Sequence, residues 1–238
     1  MLGRSILWRL NQRNEDSAPG CVGENPTTGQ ASARSNCAFF DSPIAGKHLG
    51  LKKPCTSRAQ IHDESMLIRR ETPGDVDAIR GIARAAFMHP RQTSILPPEA
   101  ALIDELRSSD YFLPALSLVA VNSAADVVGH VLCTRGRVDS APVLALGPLA
   151  VHPDQQRSGV GLALMHAILG AAEALDEPLV GVLGDPGYYS RFGFRPSEEY
   201  EIKPPVPEWH AYFQIRALAG YSPLVHGTFT YPEPFHRL

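Results

Sequence analysis

Two stretches of the chain combine residue types and spacing that could do chemistry. In the first, the apolar run Leu149-Ala150-Val151 leads through the turn His152-Pro153-Asp154 into Gln156-Arg157-Ser158-Gly159-Val160-Gly161. Behind it Val160, Leu164, Ile168, Ala171 and Leu175 recur at helical spacing, so the stretch reads strand, glycine-containing loop, helix. The first-turn N–H groups of such a helix lack intrahelical partners, and the helix dipole adds partial positive charge. The loop is therefore an anion site, and its glycines allow a phosphate to approach the backbone closely. Arg157 is the side chain best suited to reach a phosphate, with a solvated loop arginine as the alternative. Gln156 and Ser158 are expected to contribute through backbone N–H groups. The second stretch, Tyr189-Ser190-Arg191-Phe192-Gly193-Phe194, offers a phenol. With a pKa of about 10, a phenol is able to hand a proton to a thiolate. The flanking Phe192 and Phe194 leave a plain packing role for Tyr189 open.

Two commoner phosphate loops do not fit. A dinucleotide fingerprint wants Gly-x-Gly-x-x-Gly after a first strand, and this chain has only Gly-x-Gly, late in the sequence. A Walker loop needs Gly-Lys-Ser/Thr, which Val160-Gly161-Leu162 lacks.

The elements that must hold these stretches follow from periodicity. Met66–Arg70 predicts a first strand, Val76 to Phe87 a helix with Ile79, Ile82 and Ala83 inward, and Pro98 to about Ser108 a second helix. Ser117–Val121 and Val127–Arg135 predict an antiparallel hairpin, and Val143 onward predicts the strand entering the loop. Pro148 has no N–H, so that strand should be irregular or bulged near Gly147-Pro148. Leu179–Gly184 is a short buried strand, expected parallel to the one before the long helix. Asp185–Phe192 is a turn with a short helix ended by Gly193, and further strands are expected at Tyr212–Leu218 and Gly227–Tyr231. The order β-α-α-β-β-β-α-β-α-β-β predicts one α/β (α+β) domain with a mixed sheet.

Composition sets the class. The 238 residues carry a net charge of −3, 44% hydrophobic and 20% charged residues, which fits a soluble globular protein and offers no basic surface for nucleic acid. No apolar run is long enough to cross a membrane. Cys21, Cys37, Cys55 and Cys133 form no close Cys-x-x-Cys pair, so neither a disulfide scaffold nor a metal site is expected, and a reducing, cytoplasmic setting fits best. Residues 1–65 are rich in Gly, Ser, Pro and Asn without sustained periodicity, which predicts a disordered or presequence-like extension before a domain at 66–238.

In order, Leu149–Pro153, the Gln156–Gly161 loop and Tyr189–Phe194 resemble the GNAT superfamily of acyl-CoA-dependent N-acyltransferases. The match is to its pyrophosphate loop, the strand before it, and the Tyr-x-x-x-Gly-Phe end of its fourth helix, and it covers about residues 66–238. The resemblance implies a twisted, mostly antiparallel sheet with a splayed parallel strand pair, flanked by about four helices. It also implies acetyl-CoA as co-substrate, no metal, and acetyl transfer to a primary amine of a small molecule or protein by direct attack. A homodimer is compatible with it. By resemblance Gln156, Arg157, Ser158, Gly159, Val160 and Gly161 bind the pyrophosphate. Backbone groups of Leu149, Ala150 and Val151 meet the thioester and pantetheine, and Tyr189 is the general acid.

Many relatives carry a strand glutamate as general base, but Val143–Val151 contains no acid. Asp185, His130, Glu105 and a water chain all stay open for that role, with helix capping the plainer reading of Asp185. The missing glutamate also keeps open a catalytically silent acyl-CoA-binding module or an interaction protein on the same fold. The acceptor pocket should involve Phe87–Leu106 and the segment after Phe194, with Pro204–Trp209 as a wall or flap, or equally a surface linker.

Overall fold

In the computed structural model, residues 66–88 and 97–237 are described. The expected extension at 1–65 lies outside them, as do Cys21, Cys37 and Cys55. The strands are β1 (Leu67–Arg70), β2 (Phe112–Val121), β3 (Val127–Val138), β4 (Ala141–Val151), β5 (Leu179–Leu183), β6 (Arg195–Pro196), β7 (Ile202–Lys203), β8 (Phe213–Ala217) and β9 (Gly227–Thr230). The helices are α1 (Val76–Phe87), α2 (Pro98–Arg107), α3 (Val160–Ala174) and the short α4 (Pro186–Tyr189). The sheet runs β1-β2-β3-β4-β5-β8-β6, with β9 flanking both β3 and β7. Its ladders are antiparallel except β4–β5 and the two-residue β7–β9 pair. This is the mixed α/β architecture expected, with the parallel pair where the sequence puts it.

Two strands are longer than their hydrophobic pattern. β2 starts at Phe112 rather than Ser117, because Phe112 still pairs with Thr134 before the register jumps to Ser117–Leu132. The exposed Pro114, which has no N–H to give a ladder, lies inside that irregular step. β3 runs on to Val138 because β4 keeps pairing with it to Val138–Ala141 and β9 supplies partners for Arg137 and Val138 on the other side.

β4 carries the irregularity expected at Gly147-Pro148. Its register with β3 slips by one residue between Val131–Leu149 and Cys133–Leu146. One extra residue reverses the faces: Leu144 and Leu146 pack on the α3 side before the bulge, and Leu149 and Val151 do so after it. α3 covers that face through Val160, Leu164, Met165, Ile168 and Ala172. The opposite face is shared. α1 and α2 cover Val119, Val121 and Ala150, and the C-terminal segment brings Trp209, Phe229, Tyr231 and Phe235 over β3, β4 and β5. Phe229 lies in a slot of small residues, Gly136, Ala145 and Gly181, drawn from three neighbouring strands.

A buried polar network ties β1, α2, β2 and β3 together. The Arg107 guanidinium donates to Glu71 (Nε to Oε1, 2.7 Å) and to Asp104 (2.8 Å). Ser117 donates to Glu71 Oε2 at 2.5 Å, and His130 Nε2 lies 3.2 Å from that oxygen and 3.0 Å from Ser117 Oγ. His130 is fully buried, and burial lowers its pKa against the opposing pull of Glu71. The neutral ring is therefore assigned with its proton on Nε2. Burial alone would raise the Glu71 carboxyl, but hydrogen bonds from His130, Arg107 and Ser117 outweigh it and hold it at about 2. The residues are those of a hydrolytic triad, yet Ser117 is fully buried and spends its proton on the carboxylate, so the set is a clamp rather than a nucleophile.

Two outcomes follow from this packing. A Cβ at Gly181 would sit 2.5 Å from Phe229 Cε2, so Gly181→Ala should destabilise the fold by about 1–3 kcal/mol in urea unfolding. A carboxyl held below its ordinary value stabilises above that value, near 4.5, and the gain fades as pH falls toward 2. Glu71→Gln should therefore cost about 3 kcal/mol at pH 7 and far less at pH 2, flattening the acid limb of a stability–pH profile.

Candidate active site

The β4–β5 ladder is short for a chemical reason. Its recorded pairs are Leu144–Val180 and Ala145–Gly181. Continued by two residues, that parallel register would require the carbonyl of Leu183 to accept from the N–H of residue 148, and Pro148 has none. Beyond Ala145 the bulge carries β4 away from β5 and leaves a gap between them. Gly184 N–H donates to Tyr212 on the β8 side, so by alternation the Leu183 N–H faces the gap. On the other bank His152 N–H donates to Val128 of β3. Alternation then spends the Ala150 N–H on β3 and turns the Leu149 and Val151 N–H groups to the gap. Of the three strand positions predicted, two thus offer a donor there, and Ala150 is the buried residue between them.

At the end of β4 the loop turns tightly. Pro153–Gln155 form a 3-10 turn whose cap, His152, accepts from the Asp154 N–H at 3.4 Å. Arg157 adopts φ +63° and Gly159 φ +95°, and Gly159 is the N-cap of α3. Its carbonyl takes the first intrahelical bond, from Ala163, so the N–H groups of Val160, Gly161 and Leu162 have no helical partner. The Gln156 side chain folds back onto the Val151 carbonyl (3.2 Å) and Ser158 onto the Gln155 carbonyl (2.7 Å). Both side chains are thereby occupied. The Gln156 N–H, expected to serve the anion, is spent on the Pro153 carbonyl at 3.2 Å as the turn closes, and the Ser158 N–H remains. Arg157 is exposed and makes no hydrogen bond or ion pair among the described residues. A helix start with open donors, a left-handed glycine cap and one free cationic side chain fits an anionic diphosphate.

Two tyrosines close the other end. Asp185 caps α4 by accepting from the Gly187 N–H at 2.8 Å. This sets Tyr188 and Tyr189 edge to face, with ring centroids 5.0 Å apart. Tyr188 reaches α3: a Cβ on Gly161 would meet its hydroxyl at 2.9 Å, so that glycine makes room for the phenol. Burial raises the Tyr188 pKa, with Arg191 5.1 Å above its ring opposing. Tyr189 instead lies against Gly184 at the end of β5, where any side chain would collide with its ring, and packs edge-on to Phe194. Tyr189 is therefore the phenol beside the gap, and Tyr188 the one over the loop.

The candidate bases are engaged elsewhere. Asp185 is the α4 cap, Glu105 pairs with Arg237 at 3.1 Å, and His130 belongs to the buried clamp. Among the other polar positions expected near the acceptor, Asp104 is bound to Arg80 and Arg107, and Arg91 lies outside the described residues. Trp209 is 3% exposed and belongs to the aromatic cluster over β5 and β8, so the Pro204–Trp209 segment ends in the core rather than running over the surface. Sequence reading missed Glu71, 59 positions from the His130 it contacts. Among the described residues, no group of three or more His, Cys, Asp or Glu side chains could hold a metal ion, and no helix is long and apolar enough to cross a membrane.

Comparison with known proteins adds identity to this geometry. Residues 114–196 match the family model of the acetyltransferase (GNAT) domain. The chain is 31% identical over 175 residues to the uncharacterized N-acetyltransferase YhbS of Escherichia coli (strain K12), covering 72% of this chain and 99% of that protein. The crystal structure of Escherichia coli YhbS in complex with CoA superposes with a TM-score of 0.65 at 29% identity, covering 74% of this chain and 94% of that one. A GNAT family acetyltransferase from Brucella melitensis in complex with acetyl-CoA gives a TM-score of 0.58 at 32% identity, covering 72% and 99%. The chain belongs to the GNAT family of N-acetyltransferases.

Proposed function

We propose that the domain at residues 66–238 transfers the acetyl group of acetyl-CoA to a primary amine by direct attack. One observation carries the reading: the unpartnered first-turn amides of α3 follow the end of β4, and the Tyr189 phenol lies against Gly184 at the end of β5, the two strands that part beyond Pro148. Relatives crystallised with CoA and acetyl-CoA support the choice of donor.

In this reading the N–H groups at Ser158, Gly159, Val160 and Gly161 and the Arg157 guanidinium hold the pyrophosphate, while Gln156 steadies the loop through its bonds to Val151 and Pro153. The pantetheine arm runs into the gap along β4, where the Leu149 or Val151 N–H polarises the thioester carbonyl. A donor aimed at a developing oxyanion is worth about 3–4 kcal/mol. The amine lone pair forms the C–N bond, the C–S bond breaks, and Tyr189 gives its proton to the leaving thiolate. The nitrogen releases one proton to water, because β4 carries no carboxylate and Asp185, Glu105 and His130 are committed. That same absence favours a second reading, a silent acyl-CoA-binding module, which would bind donor without transfer.

Acetyl-CoA at a hundredfold excess over its Kd should stabilise the protein by about 2.7 kcal/mol, raising Tm by roughly 5–10 °C. No shift with acetyl-CoA or with free CoA rules out both readings. Turnover against a panel of primary amines separates them. Tyr189→Phe should lower kcat about 100-fold with the KM for acetyl-CoA nearly unchanged, and an unaltered kcat removes Tyr189 from the mechanism.

A further inference from the structure

The mechanism above leaves one polar group at the gap unused. The Tyr231 side chain is 6% exposed, yet its hydroxyl has no hydrogen-bond partner among the described residues. Its ring is fixed on several sides by Trp209, Phe213, Phe229 and Phe235, with centroids 6.4, 6.2, 4.9 and 4.7 Å away. It approaches from the face covered by the C-terminal segment, opposite α3, and packs with Leu183 at the end of β5. The Leu183 N–H, which faces the gap, lies close to the phenol oxygen, and Tyr189 acts on that oxygen electrostatically. The Trp209 indole N–H is also orphaned in this cluster. It is Tyr231 that has Tyr189 within electrostatic reach.

A buried hydroxyl without a partner costs about 1–3 kcal/mol of desolvation, so a purely structural tyrosine here would serve better as phenylalanine. The loop and α3 occupy one face of the sheet, so a donor held by them enters from that face. What meets it from the other face is the acceptor, and Tyr231 stands on that side.

We infer that Tyr231 contacts the acceptor, its phenol oxygen accepting an N–H of the attacking primary amine and aiming the nitrogen lone pair at the thioester carbon. This rests on the transfer reaction proposed above. No atom changes hands in the contact: the amine keeps its lone pair for the C–N bond and offers one of its two hydrogens to the phenol. As the bond forms the nitrogen becomes cationic and its N–H a stronger donor, so the contact tightens in the transition state.

Tyr231→Phe removes only the oxygen. The variant should keep or gain Tm, keep its thermal shift with acetyl-CoA, and lose about tenfold in kcat/KM for the best amine of the panel while the KM for acetyl-CoA stays constant. An unchanged kcat/KM for the amine overturns the assignment. So does a fall in Tm together with weaker acetyl-CoA binding, which marks a structural hydroxyl. If the wild type binds acetyl-CoA and acetylates no amine, the transfer reading fails on its own. A crystal of the acetyl-CoA complex then judges Tyr231 separately, since a hydroxyl more than about 6 Å from the acetyl carbon is beyond reach of any nucleophile placed there.

Discussion

A proline nitrogen decides the shape of this site. In a parallel ladder every second residue of one strand is held by N–H and carbonyl groups of the other, and Pro148 removes the donor that the Leu183 carbonyl would need. The bulge at the same place reverses the side chains that follow. The interior of the sheet therefore contains backbone amides, at Leu149, Val151 and Leu183, that no neighbouring strand claims. Buried unpaired amides are costly and rare, and a ligand carbonyl is a natural partner for them.

Around that gap the elements divide the work by face. On one face α3 presents its N-terminal amides, with Gly161 left bare so that the Tyr188 hydroxyl can lie over the first turn. On the other, the C-terminal segment lays an aromatic cluster across small residues of three strands and brings Tyr231 to the end of β5. Gly184 is the contact between the two halves, since only a residue without a Cβ lets the Tyr189 ring rest on the strand end. In the proposed reaction, donor handling and acceptor handling are built from different parts of the chain and meet at Leu183 and Gly184.

The clamp of Glu71, Arg107, Ser117 and His130 lies one strand from the gap, where His130 is paired with Ala150. Removing any member strands the others in a buried setting, which gives the network its cooperativity. Its effect is to fix β1 and α2 against β3, and so the wall on which β4 rests as it leaves β5. The histidine that looked like a base candidate serves this wall.

Much of the site was legible before any coordinates because its signals are local. The loop glycines, Pro148, the helical period of α3 and the Tyr189–Phe194 stretch each act through the backbone geometry of a few consecutive residues, so order and spacing alone disclosed a strand, an anion loop and a phenol. Resemblance then supplied the acyl-CoA donor. What only the tertiary structure decided comes from distant segments. It assigned Glu105 to Arg237 across 132 positions and His130 to Glu71 across 59, removing both from the list of bases. It also turned two of three β4 amides to the gap, and it carried Tyr231, which no motif marks, to the opposite side of that gap. A sequence states which groups a chain owns and how neighbours bend. Which buried polar group ends without a partner depends on how distant strands and helices pack.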